Sequence, residues 1–282
     1  MLGRERLRPP RQSTSSKRFR FARGSASWAS DKHAASMVDW ASVRECCLSG
    51  EVGSDARMDR RDGFGALRPS TYPVSPGEEE EARPMRIVIV EFISLDGVVQ
   101  APGGPEEDTE GGFAHGGWSH PFFDPEVVGG AFNEALTKAE ALLFGRRTWQ
   151  TMAAAWPVRA GDPFADQMNA IPKYVVSSTL REDELTWDNT TRIHGDEAVA
   201  RIRGLRATDG GDLVVMGSPT LARTLLHEAL TDELRLVVMP VILGGGKTIY
   251  PHDGALRPLE LVSTVASSTG VQVCTYRLAS AG

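Results

Sequence analysis

The sequence has little of three things that mark large classes of protein: cysteine, long apolar runs and an excess of basic charge. Its three cysteines include the neighbours Cys46 and Cys47, which excludes a framework of disulfide bonds. No run approaches the roughly 18 apolar residues of a membrane-spanning helix, which argues against a membrane-integrated protein. The net charge of −6 argues against a general nucleic-acid binder. What remains, 41% hydrophobic and 24% charged residues, is typical of a soluble globular protein.

Charge is divided unevenly along the chain. Residues 1–84 hold 15 basic and 12 acidic residues, whereas residues 85–282 hold 16 and 25, a net charge of −9. Neither a helical nor a strand-like apolar period persists in the first segment, so it cannot bury enough apolar surface to offset the entropy of ordering it. We expect residues 1–84 to be a disordered leader, or an upstream extension of a reading frame that begins at Met85. An arginine- and serine-rich start also fits an organelle transit peptide or a basic regulatory arm.

Residues 85–282 carry the regular pattern of one α/β domain, in which strands alternate with helices. We predict strands over 86–92, 141–144, 173–177, 190–194, 212–216, 233–240, 259–267 and 271–278, and helices over 126–140, 148–155, 197–205 and 219–229. This alternation predicts a mainly parallel central sheet with helices on both faces. Only Ser268-Thr269-Gly270 separates the last two strands, which predicts a C-terminal antiparallel hairpin at the sheet edge.

Two familiar nucleotide motifs are absent. The run Leu243-Gly244-Gly245-Gly246-Lys247-Thr248 lacks the first glycine of a P-loop, because position 241 is valine, and it opens no predicted helix. No G-x-G-x-x-G follows a predicted strand and opens a helix either. A nucleoside triphosphatase and the usual dinucleotide fingerprint are therefore both excluded.

A different phosphate-binding pattern is present where strands end. The run Phe144-Gly145-Arg146-Arg147-Thr148 passes from a strand through a glycine into a helix. Glycine lets the backbone approach an anion, and the helix start presents free N–H groups to it. Arginine adds a bidentate phosphate contact and threonine a hydroxyl.

Two further strands end in residues of the same kind. Ser177 and Ser178 follow one strand, and the run Gly217-Ser218-Pro219-Thr220 follows another and leads into a helix. In parallel sheets these ends lie at one edge, where ligands bind. Together the three turns predict a groove for a phosphorylated dinucleotide.

Five segments in this order resemble the dihydrofolate reductase superfamily, and in particular the reductase domain of bacterial riboflavin biosynthesis, the RibD C-terminal-like branch. The segments are SLDG (94–97), LLFGRRTW (142–149), YVVSSTL (174–180), VVMGSPTL (214–221) and PVILGGGKTIYP (240–251). The resemblance covers essentially all of residues 85–282. It implies a dihydrofolate reductase-like domain that uses NADPH as the reductant.

The resemblance also implies roles for single residues at the cofactor. In the turn that begins at Gly145, Arg146 would contact the 2′-phosphate, and Arg147 and Thr148 would lie at the pyrophosphate. The two serines after the third strand would line the adenosine phosphate. The remaining positions would lie beside the pyrophosphate and the nicotinamide ribose: Gly217, Ser218, Thr220 and Leu221.

The substrate side departs from true folate reductases. Those enzymes carry a carboxylate on the first helix, and the corresponding position here is Gly129, which disfavours dihydrofolate reduction. Asp96 of SLDG is the candidate catalytic residue, because the resembling branch has this motif at its substrate pocket. Asp96 either binds a substrate hydroxyl or ring N–H, or it caps the turn.

Several other residues are candidates for substrate binding. Trp118, in a long glycine-rich loop, either stacks on a heterocycle or anchors the loop. Gly244 and Gly245 allow close backbone approach to a ligand, and Lys247 either binds a substrate phosphate or is simply solvated. The histidines lack partners at metal-ligand spacing, so we expect no metal.

The leading hypothesis is an NADPH-dependent reductase that transfers a hydride to a C=N or C=O of a small heterocyclic or phosphorylated substrate. The alternatives are a nucleotide-binding protein without turnover and, disfavoured by Gly129, a dihydrofolate reductase. The domain is expected to bind small molecules rather than nucleic acid or membrane. A homodimer is what the resembling branch implies. No apolar core of a secretory signal is present, so we expect a cytoplasmic protein.

Overall fold

The structure is a computed structural model that describes residues 83–278. The predicted leader falls on residues 1–84, of which 1–82 lie outside the described range.

The described residues form a regular succession of strands and helices. The strands are β1 (Arg86–Ser94), β2 (Ala139–Gly145), β3 (Lys173–Val176), β4 (Thr190–Ile193), β5 (Asp212–Met216), β6 (Glu233–Met239), β7 (Leu259–Ala266) and β8 (Gln272–Leu278). The α-helices are α1 (Val127–Thr137), α2 (Arg146–Ala155), α3 (Pro163–Ala170), α4 (Ala198–Arg206) and α5 (Pro219–His227).

All the strands belong to one sheet of order β4-β3-β2-β5-β1-β6-β8-β7. The pairs from β4 to β6 are parallel, as the βα alternation predicts. Strand β8 pairs antiparallel with both β6 and β7, so the last hairpin forms the sheet edge. The predicted fold class is confirmed: one α/β domain with a mainly parallel sheet and an antiparallel C-terminal hairpin.

Each face of the sheet is covered by its own apolar core. On one face, Val88 and Val90 of β1 belong to a cluster with buried residues of α1, α2 and α3. On the other face, Ile87 and Ile89 belong to a cluster with buried residues of α4 and α5. A strand buried on both sides is apolar at most of its positions, which explains the β-branched run of residues 87–90 in β1.

Helix α3 is missing from the elements predicted from sequence. Asp162 is its N-cap, and one carboxylate oxygen accepts hydrogen bonds from the backbone N–H groups of Phe164 and Ala165. Pro163 occupies the first helical position, where a missing N–H costs nothing. The Asp-Pro signal was therefore present, but the helix has only eight residues and too few apolar positions to show a period.

The sheet opens at its carboxyl edge between β1 and β5. The pairing of these strands ends at Val90 and Met216, whereas β1 continues beside β6 as far as Ser94 and Met239. The last residues of β1 therefore extend past the end of β5 and border a cleft. Clefts of this kind beyond the carboxyl ends of strands are where α/β sheets bind ligands. Within residues 83–278, none of the helices has both the length and the apolar character needed to span a membrane.

Candidate functional site

A groove of about 510 Å³ lies at the carboxyl ends of β2, β3 and β5. It brings together seven residues that the sequence had singled out for the cofactor: Gly145, Arg146, Arg147, Thr148, Ser218, Thr220 and Leu221. Lys247, predicted on the substrate side, also lines it. Turns that are distant in sequence therefore meet as the parallel topology requires.

The two central turns of this groove are tied to each other. The backbone N–H of Gly145 donates to Ser218 Oγ at 2.9 Å, and the N–H of Ser218 donates to Thr148 Oγ1 at 3.0 Å. Gly217 has a φ of +60°, and an added Cβ would lie 3.1 Å from Thr148 Cγ2. Glycine is needed there on both counts, for the backbone conformation and for the close approach of the turns.

Helix α2 begins at this interlocked turn. Gly145 is its N-cap, and no side chain among the described residues caps the first turn. The first N–H groups of the helix thus face the groove without an internal partner. Arg146 donates to the hydroxyl of Thr179 at 2.8 Å.

Two acidic residues that the sequence analysis did not single out lie over the basic groups of the groove. Lys247 Nζ is 2.5 Å from Asp108 Oδ2 and 2.6 Å from Glu110 Oε2. Arg147 donates to Glu110 and lies 3.7 Å from Asp108. The hydrogen bonds from Lys247 and Arg147 lower the pKa of Glu110 to about 2. Both acids belong to the loop of residues 101–118, which this network fastens over the groove.

The serine pair after β3 does not line the groove. Ser177 is buried, and its Oγ accepts hydrogen bonds from the N–H groups of Thr179 and Leu180, so it shapes the turn. Ser178 packs its Oγ against Gly195, where an added Cβ would lie 2.3 Å away. Gly195 itself lines the groove, so Ser178 packs behind the groove wall and does not line the groove.

A second, smaller cavity of about 120 Å³ adjoins the groove. The two share the residues Asp108, Arg147, Thr148, Ser218 and Pro219, which makes them neighbouring compartments of one site. The wall of the cavity away from the groove is mostly apolar: Val90, Phe92, Phe132, Met152, Trp156, Phe164, Met168 and Met216.

Besides Asp108, two carboxyl groups line this cavity, those of Glu91 and Glu107, and the sequence analysis missed both. Glu91 is 2% exposed, and its Oε1 has no hydrogen-bond partner in the part of the chain that the structure describes. Burial, and then the nearby Glu107, raise the pKa of Glu91 well above its usual value. Glu107 accepts a hydrogen bond from the N–H of Gly103, yet burial raises its pKa as well. In the sequence, the one feature that pointed to Glu91 was its position as a glutamate within the otherwise apolar run of β1.

Asp96 lies outside both compartments, in the turn after β1. Its carboxylate accepts hydrogen bonds from Ser94 Oγ at 2.7 Å and from the N–H groups of Leu243 and Gly244 at 3.1 and 2.7 Å. These bonds, that from Ser94 first, lower the pKa of Asp96 to about 2. Such a group is ionised at neutral pH and has no proton to donate. The sequence left two roles open for Asp96, substrate binding and capping of the turn. The hydrogen bonds match the cap, and through them Asp96 holds the loop after β6.

The remaining substrate candidates lie in different parts of the domain. Trp118 is buried in the core, and its indole N–H donates to the carbonyl of Gln100 at 2.7 Å, so its ring anchors the loop and does not line the cavity. Gly244 and Gly245 line an open surface depression together with Lys247 and Phe113. Among the described residues, no group of histidine, cysteine and acidic side chains is arranged to hold a metal ion.

Comparisons with known proteins show what this chain is similar to. The "Uncharacterized protein YyaP" of Bacillus subtilis (strain 168) is 26% identical over 196 residues, which cover 68% of this chain and 94% of that protein. A solved structure described as "Putative riboflavin biosynthesis protein" from Shewanella sp. PV-4 has a TM-score of 0.52 and 18% identity, and covers 70% of this chain and 100% of that chain. This likeness shows the fold.

Two other solved structures have TM-scores of 0.46. Dihydrofolate reductase from Enterococcus faecalis, complexed with NADP(H) and RAB-propyl, is 15% identical, with 71% of this chain and 99% of that chain covered. A pyrimidine reductase-like protein from Corynebacterium diphtheriae is 14% identical, with 70% and 92% covered.

Family membership rests on a separate comparison. The family model for the RibD C-terminal domain matches residues 86–273, a span that runs from the first residue of β1 into β8. Because this match covers well over half of the chain, the protein belongs to the RibD C-terminal domain family.

Proposed function

We propose that this protein is an NADPH-dependent oxidoreductase that transfers a hydride to a C=N or C=O bond of a small molecule. The observation that carries the proposal is the pairing of two compartments: a polar groove at the start of α2 and a smaller, mostly apolar cavity that shares a wall with it. A dinucleotide reductase needs both, one for the phosphates and one for the nicotinamide and the acceptor.

The groove fits a phosphorylated cofactor. The uncapped start of α2 offers backbone N–H donors at the positive end of the helix dipole. Gly217 keeps the facing turn free of a side chain, and Thr148 holds that turn through its hydroxyl. Arg146 donates to a neutral hydroxyl, so its charge is available to the 2′-phosphate that distinguishes NADPH from NADH.

Each part of the chain would have a defined task in the reaction. NADPH supplies the hydride from its nicotinamide ring. The turns around Gly145 and Gly217 would hold the phosphates, and the apolar walls would exclude water from the reacting atoms. Residues of loop 101–118 would close the site, because Asp108 lines both compartments.

The cofactor assignment is tested by comparing NADPH and NADH. We expect NADPH to quench tryptophan fluorescence at lower concentration, since Trp156 lines the cavity. Arg146→Gln should weaken NADPH binding about tenfold and leave NADH binding unchanged, because only the bidentate contact to the 2′-phosphate is lost. Arg277→Gln, at an exposed position of β8, is the matched control. Equal affinity of the wild-type protein for both cofactors would refute the role of Arg146.

Turnover separates a reductase from the alternative, a nucleotide-binding protein without activity. The salt bridges of Asp108 and Glu110 to Arg147 and Lys247 give that alternative a physical basis, since they occupy two cations of the groove. NADPH consumption should be followed with dihydrofolate, a ribosylaminopyrimidine and simple carbonyl compounds. Tight NADPH binding without consumption by any of these compounds would favour the binding protein.

A further inference from the structure

The cavity that adjoins the groove has the lining of a site for an uncharged ring. Its far wall consists of aliphatic, aromatic and methionine side chains, with Phe92 and Phe132 stacked at a centroid distance of 5.0 Å. Its one cation, Arg147, is already paired with Glu110 and Asp108. A phosphate placed against the apolar wall would lose its hydration without gaining a partner, and this loss is costly.

Glu91 is the unusual member of this lining. It lies in β1 just past Val90, where pairing with β5 ends, so the opening of the sheet sets it at the cleft. The carboxyl is fully buried, and its Oε1 has no hydrogen-bond partner within residues 83–278. An ionised carboxylate without a partner in such a place is strongly disfavoured, so the group stays protonated.

The charged groups around Glu91 reinforce this protonated state. From loop 101–118, Glu107 raises the pKa of Glu91 further through its negative charge, and Asp108 lies beyond it. From α2, Arg147 faces the cavity but binds Glu110 and lies near Asp108. The strand and helix residues on the remaining sides, Met216 and Phe132 among them, carry no charge. A carboxylic acid in these surroundings has one O–H group to donate, and the Oε1 of Glu91 has no hydrogen-bond partner within residues 83–278.

We propose that Glu91 is the catalytic acid of this site, and that the substrate is an uncharged ring compound whose C=N nitrogen or C=O oxygen takes up its proton. The proposal rests on the proposed function for the source of the hydride. The C–H bond at nicotinamide C4 breaks, and its electron pair forms a C–H bond on the acceptor carbon. The π electrons of the acceptor bond move to the nitrogen or oxygen, which binds the proton from Glu91. NADPH leaves as NADP⁺, and water reprotonates the carboxylate.

The assignment differs from what the sequence suggested. Asp96 is ionised and holds a turn, and Gly129 of α1 stands at the position where folate reductases carry their acid. A buried glutamic acid with a raised pKa meets the requirement for a proton donor near neutral pH.

The experiment uses the full chain with Glu91→Gln, and with Glu107→Gln as the matched control. Infrared spectra at pH 7 in H₂O and D₂O should show a carboxylic acid C=O stretch that Glu91→Gln removes and Glu107→Gln retains. Quinoxaline, an uncharged ring with C=N bonds and no carbonyl of its own, should shift this band when it binds. Quinoxaline-6-carboxylate should bind at least about tenfold more weakly, because the cavity offers its charge no partner.

Kinetics give a second readout for every compound that consumes NADPH. Glu91→Gln should lower kcat about 100-fold and leave KM and the affinity for NADPH within about threefold, since glutamine preserves the hydrogen bond but cannot give up a proton. The thermal midpoint of Glu91→Gln should not fall below that of the wild type, which separates a lost acid from a lost fold.

Each contrary result overturns the proposal. These results are an unchanged acid band in Glu91→Gln, a band that saturating quinoxaline does not move, no binding of quinoxaline up to its solubility limit, or equal binding of the carboxylate. Wild-type turnover in Glu91→Gln also overturns it. Because the infrared arms need neither cofactor nor turnover, a failure of NADPH binding would count against the proposed function alone.

Discussion

Two carboxyl groups five positions apart in the chain show how environment decides the chemistry of a residue. Asp96 is exposed and accepts hydrogen bonds from Ser94, Leu243 and Gly244, which lower its pKa to about 2. Glu91 is buried, and its pKa is raised because the charged form loses its hydration. The sequence pattern points to the conspicuous turn residue, whereas the geometry assigns the proton to the residue inside the strand.

Asp96→Ala should loosen the loop after β6 rather than abolish a chemical step. The N–H groups of Leu243 and Gly244 lose their acceptor, so their amide hydrogen exchange should accelerate about fivefold or more. NADPH affinity should be unchanged, because Asp96 lies outside the groove. Hydrogen exchange followed by mass spectrometry or NMR measures both amides.

Two variants complete the Asp96 experiment. Glu260→Ala, on the exposed strand β7, should leave the exchange of these amides unaltered. Asp96→Asn retains one acceptor oxygen and should fall between the wild type and Asp96→Ala. Unchanged exchange in Asp96→Ala would contradict the role of a turn cap.

At the scale of elements, Lys173 ties together the segments around β3. It is 1% exposed, and its ammonium donates to the carbonyls of Asn169, Ile171 and Asp188 at 2.8, 2.7 and 3.2 Å. The ammonium also lies 4.6 Å from the centre of the Trp187 ring. One side chain therefore joins the end of α3, the start of β3 and the turn before β4.

Lys173→Met should destabilise the domain by about 2 kcal/mol, because three buried carbonyls lose their donor while the apolar stem is retained. Lys138→Met is the matched control, since Lys138 forms an exposed i, i+4 ion pair with Glu134 worth about 0.3 kcal/mol. Urea unfolding at pH 7 measures both free energies. Equal stabilities of the two variants would refute the anchoring role of Lys173.

The same lysine gives the stability a defined pH dependence. Burial lowers the pKa of Lys173 from 10.5 to about 8, so the folded state holds this proton less tightly than the unfolded state. Between these two values the unfolded chain binds more protons, and stability therefore rises with pH in that window. From pH 8 to 10.5, the free energy of unfolding of the wild type should therefore rise relative to that of Lys173→Met.

The elements divide into those that the sequence reveals and those that it hides. Strands such as β1 and β5 were predictable because burial on both faces favours a run of apolar residues, 87–90 in β1 and 213–216 in β5. The groove was predictable because its turns lie at the ends of such strands. The contact of Glu107 and Asp108 with the site was not, since it depends on how loop 101–118 returns across β1 and α2, and no local period encodes that path. Trp118 likewise reads as a loop residue until the fold buries it.

At the scale of the whole molecule, the site is a consequence of strand order. Strand β1 lies between β5 and β6. Because β5 ends earlier than β1, a cleft opens beside the last residues of β1. Every cofactor and substrate candidate that lines the two compartments lies C-terminal to Val90 in the chain.

The folded domain is expected to begin at Met85. Met85 is buried in the core beside the start of β1, and its N–H donates to the carbonyl of Thr208. A fragment of residues 85–282 keeps this contact and the whole of β1, and it loses the hydrogen bond from the Gly210 N–H to the Arg83 carbonyl and the bridge between Pro84 and Asp209. It should unfold cooperatively within a few degrees of the full chain and bind NADPH with the same affinity. Differential scanning calorimetry and fluorescence titration measure the two properties.

A fragment that begins at Gly97 is the contrasting control for this boundary. It lacks β1, which pairs with both β5 and β6 and supplies buried side chains to the cores on both faces of the sheet. Removing a central strand of a parallel sheet exposes the ladders of its two neighbours and empties both cores, so this fragment should not fold. Cooperative unfolding of the shorter fragment, or its absence in residues 85–282, would show that the domain boundary lies elsewhere.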